Sequence, residues 1–468
     1  MRTKKRRTNS WPKILFLAFL ILSVQLGTVG SVRALSIEDE TAMGQKFMEN
    51  IGRQFDFLDD DFANDYLNDL GQYLIRPLET KPFPFRFYLV RDQDLNAFAG
   101  PGGHIFVFSG LVVALDTIDE LAAVVCHEIG HVSARHISER IEQAKKIGLA
   151  SLAGVLAGIL VGGQGGAAIL SGTVAAGIQK QLAYSREDER QADQRGFQYM
   201  VQAGYDPAGM IATLEKLEKG QWYGTDGVPS YLLTHPVGPE RISNMEVMLS
   251  GLGKREGGSA PKEFRQLYPF FKTTVAAKTG DPSEMEAQFS KALEKDPGSV
   301  LAHYGLGIVR QDRSDYDKAI SHFQAALKGS PDSLPILRRL AESYQLKGQD
   351  KEALRILERA ARLDSLDRST LFLLAKSYQN MEEDAKAIPL YERLLLMPPV
   401  KDEVYYDLGL AYGRQNRLGQ AHYNFAIFFK RTGAKGKAKF HFQKAEDLSK
   451  GDPVLQRKIR EAMGELRP

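Results

Sequence analysis

A single cysteine, Cys126, occurs in the 468 residues, which excludes a disulfide framework within the chain and any metal site built from several cysteines. An excess of either charge is equally missing: 61 lysines and arginines stand against 58 aspartates and glutamates, a net +3. Much of that surplus is local, at Arg2, Lys4, Lys5, Arg6, Arg7 and Lys13, so composition gives no ground for a nucleic-acid partner. Histidine is scarce, nine in all, and charge is absent altogether from residues 14–32 and 148–178.

The first uncharged stretch follows the basic cluster and leads into Val32-Arg33-Ala34, a small-residue cleavage pattern. Residues 1–34 therefore read as a secretory signal removed after Ala34. An uncleaved membrane anchor is the alternative, because nineteen uncharged residues just suffice to span a bilayer. No cysteine lies near the junction to carry a lipid. The stretch 148–178 is split by the glycines around Gln164 into halves shorter than the roughly 20 residues of a spanning helix. It reads as a buried or membrane-touching hairpin.

What the chain does have is Cys126-His127-Glu128-Ile129-Gly130-His131. Two imidazoles four residues apart on a helix share one side, about 6 Å apart along the axis, close enough to grip one metal ion. Glu128 then lies within reach of a water on that metal. This is the HExxH pattern of zinc peptidases, in which zinc acidifies water and the glutamate accepts its proton. Thr117 followed by Glu120 starts the helix. Leu121, Val124, Val125, Ile129 and Val132 bury it, and Cys126 points into packing.

A tetrahedral zinc needs a third protein ligand. Ser185 with Asp188 caps a second helix that ends near Ala203, before Gly204 and Pro207. It carries Glu189 and Asp193 on one face; one of the two is a candidate ligand and the other a candidate partner for a ligand histidine. Further on, Thr234-His235-Pro236 precedes Arg241. His235 is a candidate for the fourth metal position or, with Arg241, for holding an oxyanion. His136, five residues past His131, falls off the ligand face. Upstream, residues 84–90 and 104–108 alternate as strands around Asn96-Ala97-Phe98-Ala99-Gly100-Pro101-Gly102-Gly103. The glycines and proline suggest an exposed edge to which an extended peptide adds as a strand, with Asn96, Ala97, His104 and Phe106 as candidate contacts.

Together the HExxH, Tyr184-Ser185-Arg186 with residues 189–193, Asn96 to Ala99 before Pro101-Gly102-Gly103, and Thr234-His235-Pro236 with Arg241 resemble the HtpX-type zinc metalloproteases. The likeness is greatest to their soluble periplasmic branch with tetratricopeptide repeats. The resemblance implies one zinc per chain on His127, His131 and Glu189, Glu128 as general base, Asp193 supporting a ligand, and His235 as a latch that sits on the metal and silences the enzyme. It also implies the periplasm of a Gram-negative bacterium and misfolded or stalled envelope proteins as substrates. The outer-membrane β-barrel assembly machinery is the implied partner.

Beyond a glycine-rich linker at 251–263 the sequence repeats every 34 residues. Leu306-Gly307, Leu340-Ala341, Leu374-Ala375 and Leu408-Gly409 share one phase; Ala319, Ala353, Ala387 and Ala421 share the next; Phe323, Leu357, Tyr391 and Phe425 a third. That spacing predicts tetratricopeptide helix pairs near 266–299, 300–333, 334–367, 368–401 and 402–435, with capping helices to 468. Such arrays bind peptides or partner proteins. The expected architecture is mainly α: a zincin-like helical metalloprotease domain with a small β-sheet over 35–250, then an α-solenoid over 264–468. The functional expectation is an exported zinc metalloendopeptidase. The rival is a chaperone-like assembly scaffold whose protease site is latched or inactive.

Overall fold

The computed structural model describes residues 35–52, 55–146, 184–219, 229–252 and 260–464. The signal segment and the uncharged stretch 148–178 lie outside these. Among the described residues no helix is long and apolar enough to cross a membrane.

The amino-terminal half begins with α1 (Ile37–Ile51) and α2 (Asp61–Leu74), followed by three strands, β1 (Arg86–Val90), β2 (Ala97–Gly100) and β3 (His104–Phe108). Helices α3 (Ser109–Ala114), α4 (Ile118–Ala134) and α5 (His136–Lys146) come next, then α6 (Arg186–Gln202), α7 (Ala208–Lys219), α8 (Ser230–Thr234) and α9 (Pro239–Ser250). The strands lie in the order β1-β3-β2, with β3 parallel to β1 and antiparallel to β2. The register sets Tyr88 opposite Phe106 and Phe98 opposite Phe106. Three aromatic rings therefore form a ladder across the sheet, at centroid spacings of 5.0 and 4.7 Å, a cross-strand pairing that fixes the register. Phe47 and Phe55 close over the same rings.

Two expectations need correction here. The stretch after Leu95 contains a strand, β2, and it is β2 that forms the edge. The strand holding His104 and Phe106 is central, with both sides paired, so neither residue offers free backbone groups to a peptide. His104 instead meets the Tyr88 hydroxyl at 3.0 Å, and burial together with nearby Arg86 depresses its pKa to about 4.

The carboxyl-terminal half is a run of paired helices. The first pair is α10 (Lys262–Thr279) and α11 (Pro282–Lys295). Then come α12 (Val300–Asp312) with α13 (Tyr316–Gly329), and α14 (Leu334–Leu346) with α15 (Asp350–Leu363). Helices α16 (Arg368–Asn380) and α17 (Asp384–Leu395) follow, then α18 (Asp402–Arg414) and α19 (Leu418–Arg431), and finally α20 (Lys435–Leu448) and α21 (Pro453–Gly464). The phased alanines and large residues are the buried ones: Ala319, Ala353 and Ala387 are fully covered, as are Phe323, Leu357 and Tyr391. The small residues of each first helix receive the large residue of the second, as Gly307 does with the Phe323 ring.

The two halves are locked together. Helix α10 starts inside the expected linker and buries Tyr268, Phe271 and Val275 in the same core as the sheet. The Tyr66 ring stacks on Phe271 at 4.5 Å, its hydroxyl donates to the Phe264 carbonyl, and Arg265 grips Asp119. The acidic start of α2 meets successive first helices of the repeats. Asp60 pairs with Arg339, Asp65 with Arg368 at 3.5 Å, and Asp61 with Lys401, while Arg338 lies over the Phe62 ring.

Candidate metal centre

Helices α4 and α6 build the centre. Thr117 caps α4 by accepting from the Glu120 N–H, and Ser185 caps α6 in a reciprocal box with Asp188, as the sequence anticipates. The two helices cross with almost no space between backbones. A Cβ on Gly130 would sit 2.6 Å from the Ala192 carbonyl oxygen, and one on Gly196 would sit 3.1 Å from the Cys126 carbonyl. Glycine at both points lets the helices approach until His127, Glu128 and His131 of α4 face Glu189 and Asp193 of α6.

His235, at the carboxyl end of α8, completes the group. His127, His131, Glu189 and His235 are all buried, each offering one ligand atom within 4.8 Å of the others. The Nε2 atoms of His127 and His131 are 3.0 Å apart. His127 Nε2 lies 3.5 Å from Glu189 Oε2, and His131 Nε2 lies 3.4 Å from Glu189 Oε1. His235 Nδ1 is 3.0 Å from Glu189 Oε1 and 3.3 Å from His127 Nε2.

These separations match the edges of a tetrahedron around zinc, about 3.3 Å when each ligand stands about 2.0 Å from the ion. Three imidazole nitrogens this close, each carrying a lone pair, repel unless a proton or a cation lies among them. The residues therefore fit zinc. Both Glu128 oxygens and His235 Nε2 are buried without a hydrogen bond of normal geometry among the described residues, a concentration of polar atoms that a metal and its water would satisfy.

The surroundings hold these groups in place. His127 Nδ1 lies 2.9 Å from Asp193 Oδ1. Arg241 binds both Asp193 oxygens at 2.7 Å and reaches Glu189 Oε2 at 2.6 Å. Burial alone would raise the pKa of Glu189, but the Arg241 guanidinium, with His235 and His131, holds it well below the usual carboxylate range. Burial raises Glu128, against the opposing pull of His235 and His127 and of the Ala99 N–H on edge strand β2. A buried carboxylate with a raised pKa has the affinity for a proton that a general base needs.

Arg241 corrects another expectation. Its nitrogens hold Asp193, Glu189 and the Pro236 carbonyl, so its main part in this structure is to position carboxylates, with one Nη2 N–H left over. The sequence reading also passes over His136. Its Nδ1 sits 3.0 Å from His131 Nδ1, and its Nε2 lies 3.4 Å from Gln191 Oε1. Helical spacing puts His136 off the ligand face, but the helix ends at Arg135, in the left-handed conformation at φ 63°, and the chain turns back. Tyr184 stacks on His131 at 3.7 Å and Tyr231 on His235 at 4.4 Å.

Comparisons with known proteins agree with this geometry. Residues 62–248 match the model of Peptidase family M48, and residues 274–333, 311–377 and 370–402 match tetratricopeptide repeat models. The Beta-barrel assembly-enhancing protease of Yersinia pestis is 30% identical over 325 residues, 68% of this chain and 65% of that protein, so the chain spans just under two thirds of that relative. The protein of the same name in Escherichia coli K12 is 29% identical over 340 residues, covering 70% and 68%. Metalloprotease LoiP of Escherichia coli K12 is 29% identical over 191 residues, 40% of this chain and 71% of that one. Residues 62–248, which hold every group of the centre, are thus an M48 peptidase domain, and the chain continues from it into tetratricopeptide repeats.

Proposed function

We propose that the chain is a zinc-dependent metalloendopeptidase of the bacterial periplasm that acts on envelope proteins, and that its repeats select what reaches the active site. The observation that carries this reading is the buried group of His127, His131, Glu189 and His235 at tetrahedral spacing beside Glu128. His127, His131 and Glu189 would hold a zinc ion, which would supply a Lewis acid for water and for the substrate carbonyl. Glu128 accepts the proton of the attacking water. Asp193 fixes the His127 ring, and Arg241 holds Asp193 and Glu189 in register. Strand β2 is the outer strand of the sheet and its Ala99 N–H adjoins Glu128; it is buried in this closed form, and an extended peptide laid along Asn96 and Ala97 would follow its opening.

His235 lies beside Glu189, His127 and Glu128, where it would fill a fourth ligand place, and Glu128 is wholly buried. In this reading the chain is latched: His235 must leave before a peptide carbonyl can enter. Replacing His235 by alanine is expected to raise peptidase activity at least about threefold, because the competent state is no longer a minor one, with zinc retained. Unchanged or lower activity in a fully zinc-loaded variant would remove the latch. The same closure favours the rival reading, a scaffold whose protease site stays shut. That reading and the envelope substrates suggested by the names of the relatives are separated by the Glu128 variant described below.

The metal itself is tested by zinc content. About one zinc per chain is expected for protein beginning at Leu35, and Glu189→Ala should weaken zinc binding by about 10- to 100-fold or more, the loss usual for disturbed metal surroundings. A correctly folded wild-type chain that binds no zinc would sink the proposal.

A further inference from the structure

Buried arginines in this chain hold carboxylates. Arg241 has Asp193 and Glu189, Arg339 has Asp60, and the half-exposed Arg135 has Glu40. Arg140 does not. It stands on α5 one turn after His136, is 2% exposed, and its Nε, Nη1 and Nη2 have no hydrogen-bond partner among the described residues. The stretch 147–183 that follows α5 contains neither aspartate nor glutamate. The guanidinium lies over the Tyr184 ring, 4.1 Å from its centre, and the Tyr184 hydroxyl is also buried and unpartnered.

The ring's π face offsets part of the cost of the buried cation. Among the described residues it still leaves the guanidinium without a carboxylate, which is costly in a protein interior. The location is informative. His131 and Arg140 both lie within about 4 Å of the Tyr184 ring centre, and two groups that close to one ring must occupy its opposite faces. The guanidinium therefore stands two stacked layers from a ligand histidine, the length of about two residues of extended chain at about 3.3 Å each.

We infer that Arg140, with the Tyr184 hydroxyl beside it, forms a carboxylate-binding subsite for peptides, about two residues from the scissile bond. Its planar fork matches a carboxylate with two parallel hydrogen bonds. The anion is an aspartate or glutamate side chain of the substrate, or the free carboxylate at its end. The subsite rests on the peptidase reading for its role, but not for its detection, since peptide binding is measurable without turnover.

The test uses the chain from Leu35 with Glu128→Gln to prevent cleavage. Fluorescent peptides are prepared in which one glutamate, or glutamine in its place, is moved along the sequence, each with a free or an amidated end. At one position glutamate is expected to bind at least about tenfold more tightly than glutamine, a charge-assisted bidentate pair being worth that much. Closure by His235 weakens both alike and leaves the ratio. Arg140→Gln should bring the two to equal affinity and Arg140→Lys should restore part of the gap. A gap that follows the free end and vanishes on amidation assigns the terminal carboxylate; one that survives amidation assigns the side chain.

A second readout guards against a purely structural arginine. Because no carboxylate pairs the native cation among the described residues, Arg140→Met should leave the melting temperature unchanged or raise it by about 2 °C or more. No discrimination at any position, or discrimination that persists in Arg140→Gln, overturns the subsite, as does a lower melting temperature with discrimination intact. If the zinc-loaded chain with Glu128 restored and His235→Ala, which removes the latch, cleaves none of the peptides while discrimination holds, the peptidase reading fails and the subsite stands.

Discussion

Replacing Arg339 by alanine should destabilise the chain by about 3–5 kcal/mol at pH 7, the range for a buried ion pair stripped of one member. Asp60 caps α2 through the Ala63 N–H, its carboxyl is fully covered, and Arg339 comes from the repeats. Burial by itself would raise the pKa of Asp60; Arg339 lowers it below the ordinary value. In the wild type this pair therefore contributes stability that is complete above about pH 3.8 and is lost as pH falls through the depressed native value. In Arg339→Ala the sign reverses. Burial now dominates, Asp60 takes up a proton more readily in the folded than in the unfolded chain, and the penalty shrinks as pH is lowered toward 4. Denaturant titrations of both proteins at pH 7 and pH 4.5 check this; an equal penalty at the two pH values would place the loss elsewhere. Asp60→Asn combined with Arg339→Met should recover most of the stability, since an uncharged pair leaves nothing unpaired.

Glu128→Gln should lower kcat by about 10²- to 10⁴-fold, the usual worth of a positioned general base, while zinc content and folding stay as they were. Glutamine keeps the size and loses the ability to accept a proton. Glu128 is not a member of the ligand group, so the metal has no reason to leave. The same variant separates enzyme from scaffold in cells: loss of function identifies proteolysis as the essential act, and full retention assigns it to the repeats. Cleavage within threefold of wild type would mean that another group takes the proton.

The local grammar of the chain was legible. Both capping patterns, the His127 to His131 spacing and the 34-residue phase of the repeats are contacts between residues close in sequence, governed by helical periodicity alone. What escaped was set by distance or by a break in regularity. Strand β2 is four residues flanked by glycine and proline, too short and too punctuated to alternate visibly, and the order of the three strands is decided by the ring ladder that assembles later. His136 reads as off the ligand face as long as the helix continues, and Arg135 reverses it without a glycine to signal the turn. Arg241 reads as a free donor because its two carboxylates lie about 50 residues away in sequence. Arg140 and Arg339 carry no pattern at all; only the fold reveals that Arg339 has a carboxylate partner and that Arg140 has none among the described residues.

Helix α10 has a further meaning for how this molecule is divided. By sequence it opens the solenoid, yet its apolar side belongs to the core of the catalytic half. Cutting the gene at the glycine-rich stretch before it would leave the catalytic fragment with a raw hydrophobic wound where Phe271 and Val275 had been. It would also leave the repeat fragment with those side chains facing water. The boundary that composition draws is thus not a boundary of the core, and severing the array there would cut into the packing of the peptidase half.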